Sequence, residues 1–267
     1  MDKGSPGFDF PVANICSHLR LPSSLLLSHI FLTLLLFVLS FYHYPTLALA
    51  LNMVEKLPEV YEFNSVEDAV RDFAENKFVL VMDNEDRENE GDLIVAAQSV
   101  TTEQMAFLIK YSSGYVCVPT TPERLDELDL PLMVPRNTEL MRTAYAVSVD
   151  YIHGTTTGIS AHDRALTSRK LADSTSRPED FSRPGHILPL RAVPNGTLER
   201  FGHTEAGVDL CKLAKLPPVA CIGELVKEDD PSGSMARRDD CFAFAKKHGI
   251  KMITIKDLIA YRQRVGL

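Results

Sequence analysis

No C-x-x-C pair occurs in the 267 residues; the five cysteines, Cys16, Cys117, Cys211, Cys221 and Cys241, stand singly. This excludes a zinc ribbon and a thioredoxin-type motif and argues against a disulfide framework. Reduced thiols in the cytosol are the simplest reading, and a cytoplasmic location is expected. A surplus of basic charge is lacking too: 28 Lys and Arg stand against 36 Asp and Glu, a formal net charge of -8. A face for nucleic acid is therefore not expected. No internal repeat or flexible linker divides residues 53–267. What is present, 45% hydrophobic and 24% charged residues, is ordinary for a folded chain and rules out wholesale disorder.

The apolar residues are unevenly placed. Leu25 to Tyr42 (LLLSHIFLTLLLFVLSFY) is nearly continuous, and the first 52 residues carry only Asp2, Asp9, Lys3 and Arg20 as charges. Three readings stay open for this stretch. It is long enough for a membrane span. It also suits a secretory segment, with Ala48-Leu49-Ala50 as a small-x-small cleavage site. Or it is an extension outside the folded domain, with Met53 as the natural start. The expected division is a hydrophobic N-terminal extension at 1–52, not part of the fold, and a single domain at 53–267. Membrane contact is expected only if residues 25–42 are expressed and inserted. The remainder is long enough to bury a sizeable core.

From Asn64 the pattern is regular. Asn64 or Ser65 caps a helix through Glu75, with Ala69, Val70 and Phe73 on one face. Phe78 to Met82 is a short apolar run suited to a buried strand, and Leu93 to Ala97 is a second. Thr101 or Thr102 opens a helix, and a strand is expected at Tyr115 to Val118. Thr121-Pro122 opens a short helix. Thr143 to Asp150 alternates like a half-buried strand. Ser160 begins a helix to about Ala172. Asp173 to Pro189, with three prolines, is expected as a long loop. Helices at 205–213, 239–248 and 256–264 and strands at 219–225 and 251–255 complete a compact α+β domain.

Chemistry concentrates in a few places. In Arg87-Glu88-Asn89-Glu90-Gly91-Asp92, an extended backbone would turn Glu88, Glu90 and Asp92 to one face. Three carboxylates there repel unless a cation such as Mg²⁺ sits among them, although a solvated acidic loop is the plain alternative. Arg200-Phe201-Gly202-His203-Thr204-Glu205 precedes a helix whose free N–H groups suit a phosphate. His203 would complete a metal site with Glu88, or be an ordinary packing histidine. Thr155 to Arg164 is a hydroxyl-rich turn, with Thr157 and Ser160 as candidates, and equally a plain capped helix start. The turn Arg183-Pro184-Gly185-His186 presents a histidine suited to proton transfer. Glu224 sits in the apolar run VACIGEL, where burial would raise its pKa. Cys117 lies between Val116 and Val118, as a packed strand cysteine would. Together these groups suit proton abstraction beside the carbonyl of a phosphorylated sugar.

The segments DRENEGDLI, SSGYVC, TTTGISAHDRALT, RPGHILPLRA, RFGHTEAGVDLCKLA and GELV with KKHGIKMITIKDLIAYR resemble, in matching order from about Asn64 to Arg264, 3,4-dihydroxy-2-butanone 4-phosphate synthase (DHBP synthase) of riboflavin biosynthesis in its fungal, monofunctional form. The resemblance implies a single-domain α/β/α sandwich. It implies a lyase that converts ribulose 5-phosphate to formate and 3,4-dihydroxy-2-butanone 4-phosphate with Mg²⁺ or Mn²⁺, two ions per site. The positions of Glu88 and His203 would bind the metal. Those of Arg87, Glu88, Asp92, Arg200, Phe201, Gly202, His203, Thr204 and Glu224 would hold substrate. His186 and Glu224 would be required for catalysis, with Glu90 or Asp92 as the enolising base. A homodimer whose active sites borrow residues across the interface is implied as well. Asn195-Gly196-Thr197, where the family usually has Gly-Gly-Val, is a departure that touches none of these residues.

Overall fold

The structure, a computed structural model, describes residues 62–84 and 86–267. The hydrophobic run 25–42 and the boundary expected at 52/53 lie outside the described residues. In chain order the elements are α1 (Val66–Ala74), β1 (Val79–Met82), β2 (Gly91–Ala96), α2 (Thr102–Tyr111), β3 (Cys117–Thr120), α3 (Pro122–Glu127) and β4 (Val149–Tyr151). They continue with α4 (Ala161–Ala172), β5 (Phe181–Arg191), α5 (His203–Leu213), β6 (Ala220–Glu224), α6 (Arg238–His248), β7 (Lys251–Thr254) and α7 (Ile255–Val265). Helix starts follow local chemistry: the hydroxyls of Ser65, Thr101, Thr121, Ser160 and Thr254 each accept a backbone N–H of the first turn.

The seven strands form one mixed sheet in the order β4-β5-β3-β6-β2-β1-β7. Side chains of β1 and β2 alternate between two cores. Leu80, Met82, Leu93 and Val95 pack on one face with residues of α2, α4 and α6. Val79, Val81, Ile94 and Ala96 pack on the other with α1, α5 and α7. Both faces of the strands are therefore dry, which is why they read as unbroken apolar runs and not as alternation. This is the expected α/β/α sandwich. Among the described residues no helix is long and apolar enough to cross a membrane.

Two expectations fail. The segment 173–189 is not one long loop, because its second half belongs to the 11-residue strand β5. Its first part pairs with β4 and its last four residues with β3. Proline removes a ladder donor, and the first part of β5 is largely exposed, so neither periodicity nor apolar content announced the strand. Conversely, only Val149–Tyr151 of the stretch from 143 is regular strand; Tyr145 and Ala146 make isolated bridges. The helix expected at 205 starts two residues earlier, at His203.

The departure at 195–197 is well accommodated. Thr197 is fully buried, and both its N–H (2.8 Å) and its hydroxyl (2.7 Å) donate to Asp209 Oδ2 on α5. The same oxygen accepts Arg262 Nη1 of α7 at 2.8 Å, tying the loop to two helices. Asp209→Ala would strand a guanidinium that is 8% exposed. A loss of about 3–5 kcal/mol is expected, read as a lower urea midpoint with an unchanged slope; a shift under about 1 kcal/mol would show that water reaches Arg262.

Candidate active site

The site begins with a residue the motif reading passed over. Asp83 follows β1, and its buried carboxylate organises the next turn: Oδ2 accepts the Glu88 N–H (3.1 Å) and Arg87 Nη1 (2.7 Å), and Oδ1 accepts the Glu90 N–H (2.9 Å). Asn89 adopts a left-handed conformation, φ 54°, inside this turn. Glu88, Glu90 and Asp92 therefore do not alternate along an extended strand as expected; only Asp92 lies in β2. They are gathered by the turn instead, and Arg87 also pairs with Glu88.

Strand register adds a further carboxylate, since Asp92 of β2 stands directly opposite Glu224 of β6. Like charges in that position destabilise each other. Burial and the charge of Glu224, followed by those of Glu88, Glu90 and Asp83, push the Asp92 carboxyl well above its ordinary range. Glu224 itself is exposed at the strand end, and partial desolvation and Glu88 raise its carboxyl as well. Asp92 Oδ1 is buried with no hydrogen-bond partner.

His203, the first residue of α5, faces this group. Its Nε2 lies 3.0 Å from the Val81 carbonyl, which can only accept, so Nε2 carries the proton. The lone pair is thus on Nδ1, 3.3 Å from Asp92 Oδ1 and 3.9 Å from Glu88 Oε2. Burial pushes the imidazole down to about 4, leaving it neutral at neutral pH. A neutral imidazole oriented by a backbone carbonyl, next to a carboxylate and an unpartnered buried oxygen, fits a small divalent ion. Among the described residues no three His, Cys, Asp or Glu side chains converge tightly enough to hold an ion alone. Mg²⁺ ordinarily takes only one or two carboxylates and leaves the other positions to water and substrate.

The rest of the wall comes from the segment that leads into α5. Arg200 is held by the buried Glu205, by the Met141 carbonyl (3.1 Å) and by the Thr143 hydroxyl (3.2 Å). Gly202 makes this possible: a Cβ there would lie 2.3 Å from Arg200 Nη1. Arg87, Glu88, Asp92, Arg200, His203, Thr204 and Glu224 line one small cleft. An anion-suited helix start thus shares a small space with an acidic cation site.

Residues 67–261 match the family model of 3,4-dihydroxy-2-butanone 4-phosphate synthase. The chain belongs to this family. It is 64% identical over 198 residues to the 3,4-dihydroxy-2-butanone 4-phosphate synthase of Schizosaccharomyces pombe, covering 74% of this chain and 96% of the relative. It is 56% identical over 208 residues to that of Saccharomyces cerevisiae, covering 76% and 100%. Among solved structures, a 3,4-dihydroxy-2-butanone 4-phosphate synthase in complex with two magnesium ions superposes with a TM-score of 0.74 at 51% identity, covering 76% of this chain and 98% of that one.

Not every residue expected from the synthase family motifs meets in the cleft. Phe201 is 55% exposed and does not line the cleft, and Gly202 leaves room for the Arg200 side chain. Glu90 lies near the cleft but does not line it, and its carboxylate meets Arg237 at 3.3 Å. Thr157 and Ser160 sit in a separate turn, where Ser160 caps α4. His186 is on β5, bonded to Asp150 and away from the cleft. The cleft also holds Tyr115, Thr143 and Tyr145, none of which was expected as a site residue. Cys117 lines it as a buried thiol pushed far up by burial and by Asp92, which disfavours the thiolate form.

Asp83 alone had a legible cue, an acid placed directly after a buried apolar run and before a charged turn. Asp83→Ala should leave the far-ultraviolet circular dichroism unchanged while kcat/KM falls about 100-fold, as Arg87 and Glu88 lose their register. Unaltered turnover would show that the turn holds itself without the carboxylate.

Proposed function

We propose that this chain converts D-ribulose 5-phosphate to (2S)-2-hydroxy-3-oxobutyl phosphate, that is 3,4-dihydroxy-2-butanone 4-phosphate, and formate, a lyase step of riboflavin biosynthesis. The observation that carries this is the cleft itself: neutral His203 with Nδ1 turned to Glu88 and to the unpartnered Asp92, in the same cleft as Arg200 just before α5. The family and the magnesium-bound relative agree with it. Mg²⁺, two ions per site with Mn²⁺ as a substitute, supplies Lewis-acid polarisation of the sugar's carbonyl and hydroxyl oxygens when bound.

The cleft's geometry supports a role for each residue. Glu88 and His203 would hold the metal. Arg200, Thr204 and the N-terminus of α5 hold the phosphate, and that remote binding fixes the carbon chain while it rearranges. Asp92 faces the cleft and Glu90 does not, so Asp92 is the better placed of the two to take the C3 proton. Glu224, at the cleft's rim, serves the later proton transfers. His186 lies outside the cleft of its own chain, which supports a homodimer in which His186 of one subunit completes the cleft of the other. A cytoplasmic location belongs to the same reading, since the buried thiols are unpaired.

Formate release from ribulose 5-phosphate is expected with Mg²⁺, lost on chelation and regained on adding Mg²⁺ back. Glu88→Ala and His203→Ala should each lower turnover about 10³-fold while the fold persists; near-normal activity in either would remove the metal assignment. For shared sites, His186→Ala and Glu224→Ala should each be nearly inactive, yet a refolded mixture of the two should recover formate release. No recovery in mixed dimers would place both residues in one subunit's site.

A further inference from the structure

Asp150 on β4 and His186 on β5 meet across a strand pair, outside the cleft of their own chain. One carboxylate makes both contacts. Oδ1 accepts the backbone N–H of His186 at 2.8 Å, and Oδ2 lies 2.6 Å from ring Nδ1. An ionised carboxylate can only accept, so Nδ1 carries a hydrogen and Nε2 of the neutral ring bears the lone pair. The carboxylate side chain is 13% exposed and the imidazole 42%. The anchored end is thus enclosed while the ring stays reachable.

The surroundings enforce this pairing. The turn at 155–158 closes over it, and at Gly158, φ +90°, a Cβ would lie 2.0 Å from Asp150 Oδ2 and 2.6 Å from His186 Nδ1. That turn is held by buried Asp163, whose Oδ2 accepts the Thr156 N–H, the Thr156 hydroxyl and the Gly158 N–H. The hydroxyl-rich turn therefore acts as a cover over the contact between Asp150 and His186.

We propose that Asp150 is a positioning residue of the reaction: it fixes His186 in the tautomer whose Nε2 is free to take a proton from the reacting sugar. This rests on the reading of His186 as the catalytic histidine. Asparagine tests it because an amide has a single acceptor oxygen. The backbone N–H of His186 cannot change roles and keeps that oxygen; the amide NH₂ then faces Nδ1 and can only donate, so Nδ1 must accept and the ring proton moves to Nε2. In serine proteases the equivalent exchange of the triad aspartate costs about 10⁴-fold in kcat through the wrong tautomer.

The experiment is long-range proton–nitrogen correlation on the full chain labelled with ¹⁵N-histidine, the His186 signals being assigned by their loss in H186A. Wild type should show the Nδ1–H tautomer and D150N the Nε2–H tautomer. The kcat of D150N should fall about 100-fold or more, with KM changed less than about threefold. On an H186A background, D150N should cost nothing further. An Nε2–H tautomer in wild type overturns the proposal, as does full kcat in D150N or an added loss in the double variant. Should D150N not fold, the wild-type tautomer still decides the point. H186A with wild-type turnover would instead overturn the catalytic reading of His186, whatever the tautomer.

Discussion

The pairing of Asp92 with Glu224 in register across β2 and β6 is the constraint around which the rest of the site is arranged. Two carboxylates forced opposite each other in a sheet repel, and Glu88, Glu90 and Asp83 add to the field that Asp92 feels. A fold selected for stability alone would place an apolar or oppositely charged residue there. Among the described residues, Arg87 is engaged by Asp83 and Glu88, Arg237 meets Glu90, and Arg200 is held by Glu205. None of these cations reaches the unpartnered Oδ1 of Asp92. The deficit of positive charge is local, and it sits where a buried neutral imidazole turns its lone pair. A divalent ion relieves both features at once.

The sandwich supplies what such a site needs. Because both faces of β1 and β2 are packed by helices, the strand ends that carry Asp83 and Asp92 are fixed by dry cores on either side. His203 reaches the same place from α5, whose first turn is set by the close passage of the chain at Gly202. The Val81 carbonyl that accepts the His203 proton is itself a β1 residue. Strand, helix and ligand are thus tied by one hydrogen bond, and the choice of Nδ1 as the free nitrogen is made by backbone geometry and not by any neighbouring acid.

What could be read beforehand follows the range of each interaction. Caps such as Ser65 and Thr121 are contacts over three residues, and they placed helix starts almost without error. The apolar runs of β1 and β6 announced buried strands for the same local reason. β5 did not, since its pairing alternates between two partners and its prolines hide the pattern. At the site, Arg87, Glu88, Asp92, Arg200, His203, Thr204 and Glu224 were marked by chemical type and by family motif, and the fold does bring them together. Tyr115, although inside the SSGYVC segment, and Thr143 and Tyr145 reach the cleft through tertiary placement, and none was marked as a site residue by its chemical type. The extended reading of residues 87–92 failed because Asp83, outside the motif, accepts three donors from it and bends it.

On the proposed reading, the two histidines show how one side chain is set to two tasks. Each ring faces a fixed acceptor, but on opposite nitrogens. His203 is buried, oriented by a carbonyl at Nε2, and stripped of charge by desolvation, conditions that suit a ligand whose lone pair must always be available. His186 is accessible and oriented by a carboxylate at Nδ1, conditions that suit a group which must gain and lose a proton. A carbonyl can hold an imidazole in place but gives little support to an imidazolium, whereas a carboxylate supports the charged form as it arises. Exchanging the two acceptors would leave the distances intact and reverse the chemistry. On that reading, the division of labour between metal holding and proton transfer lies in the acceptor of each ring, one a backbone atom of β1 and the other the carboxylate of Asp150.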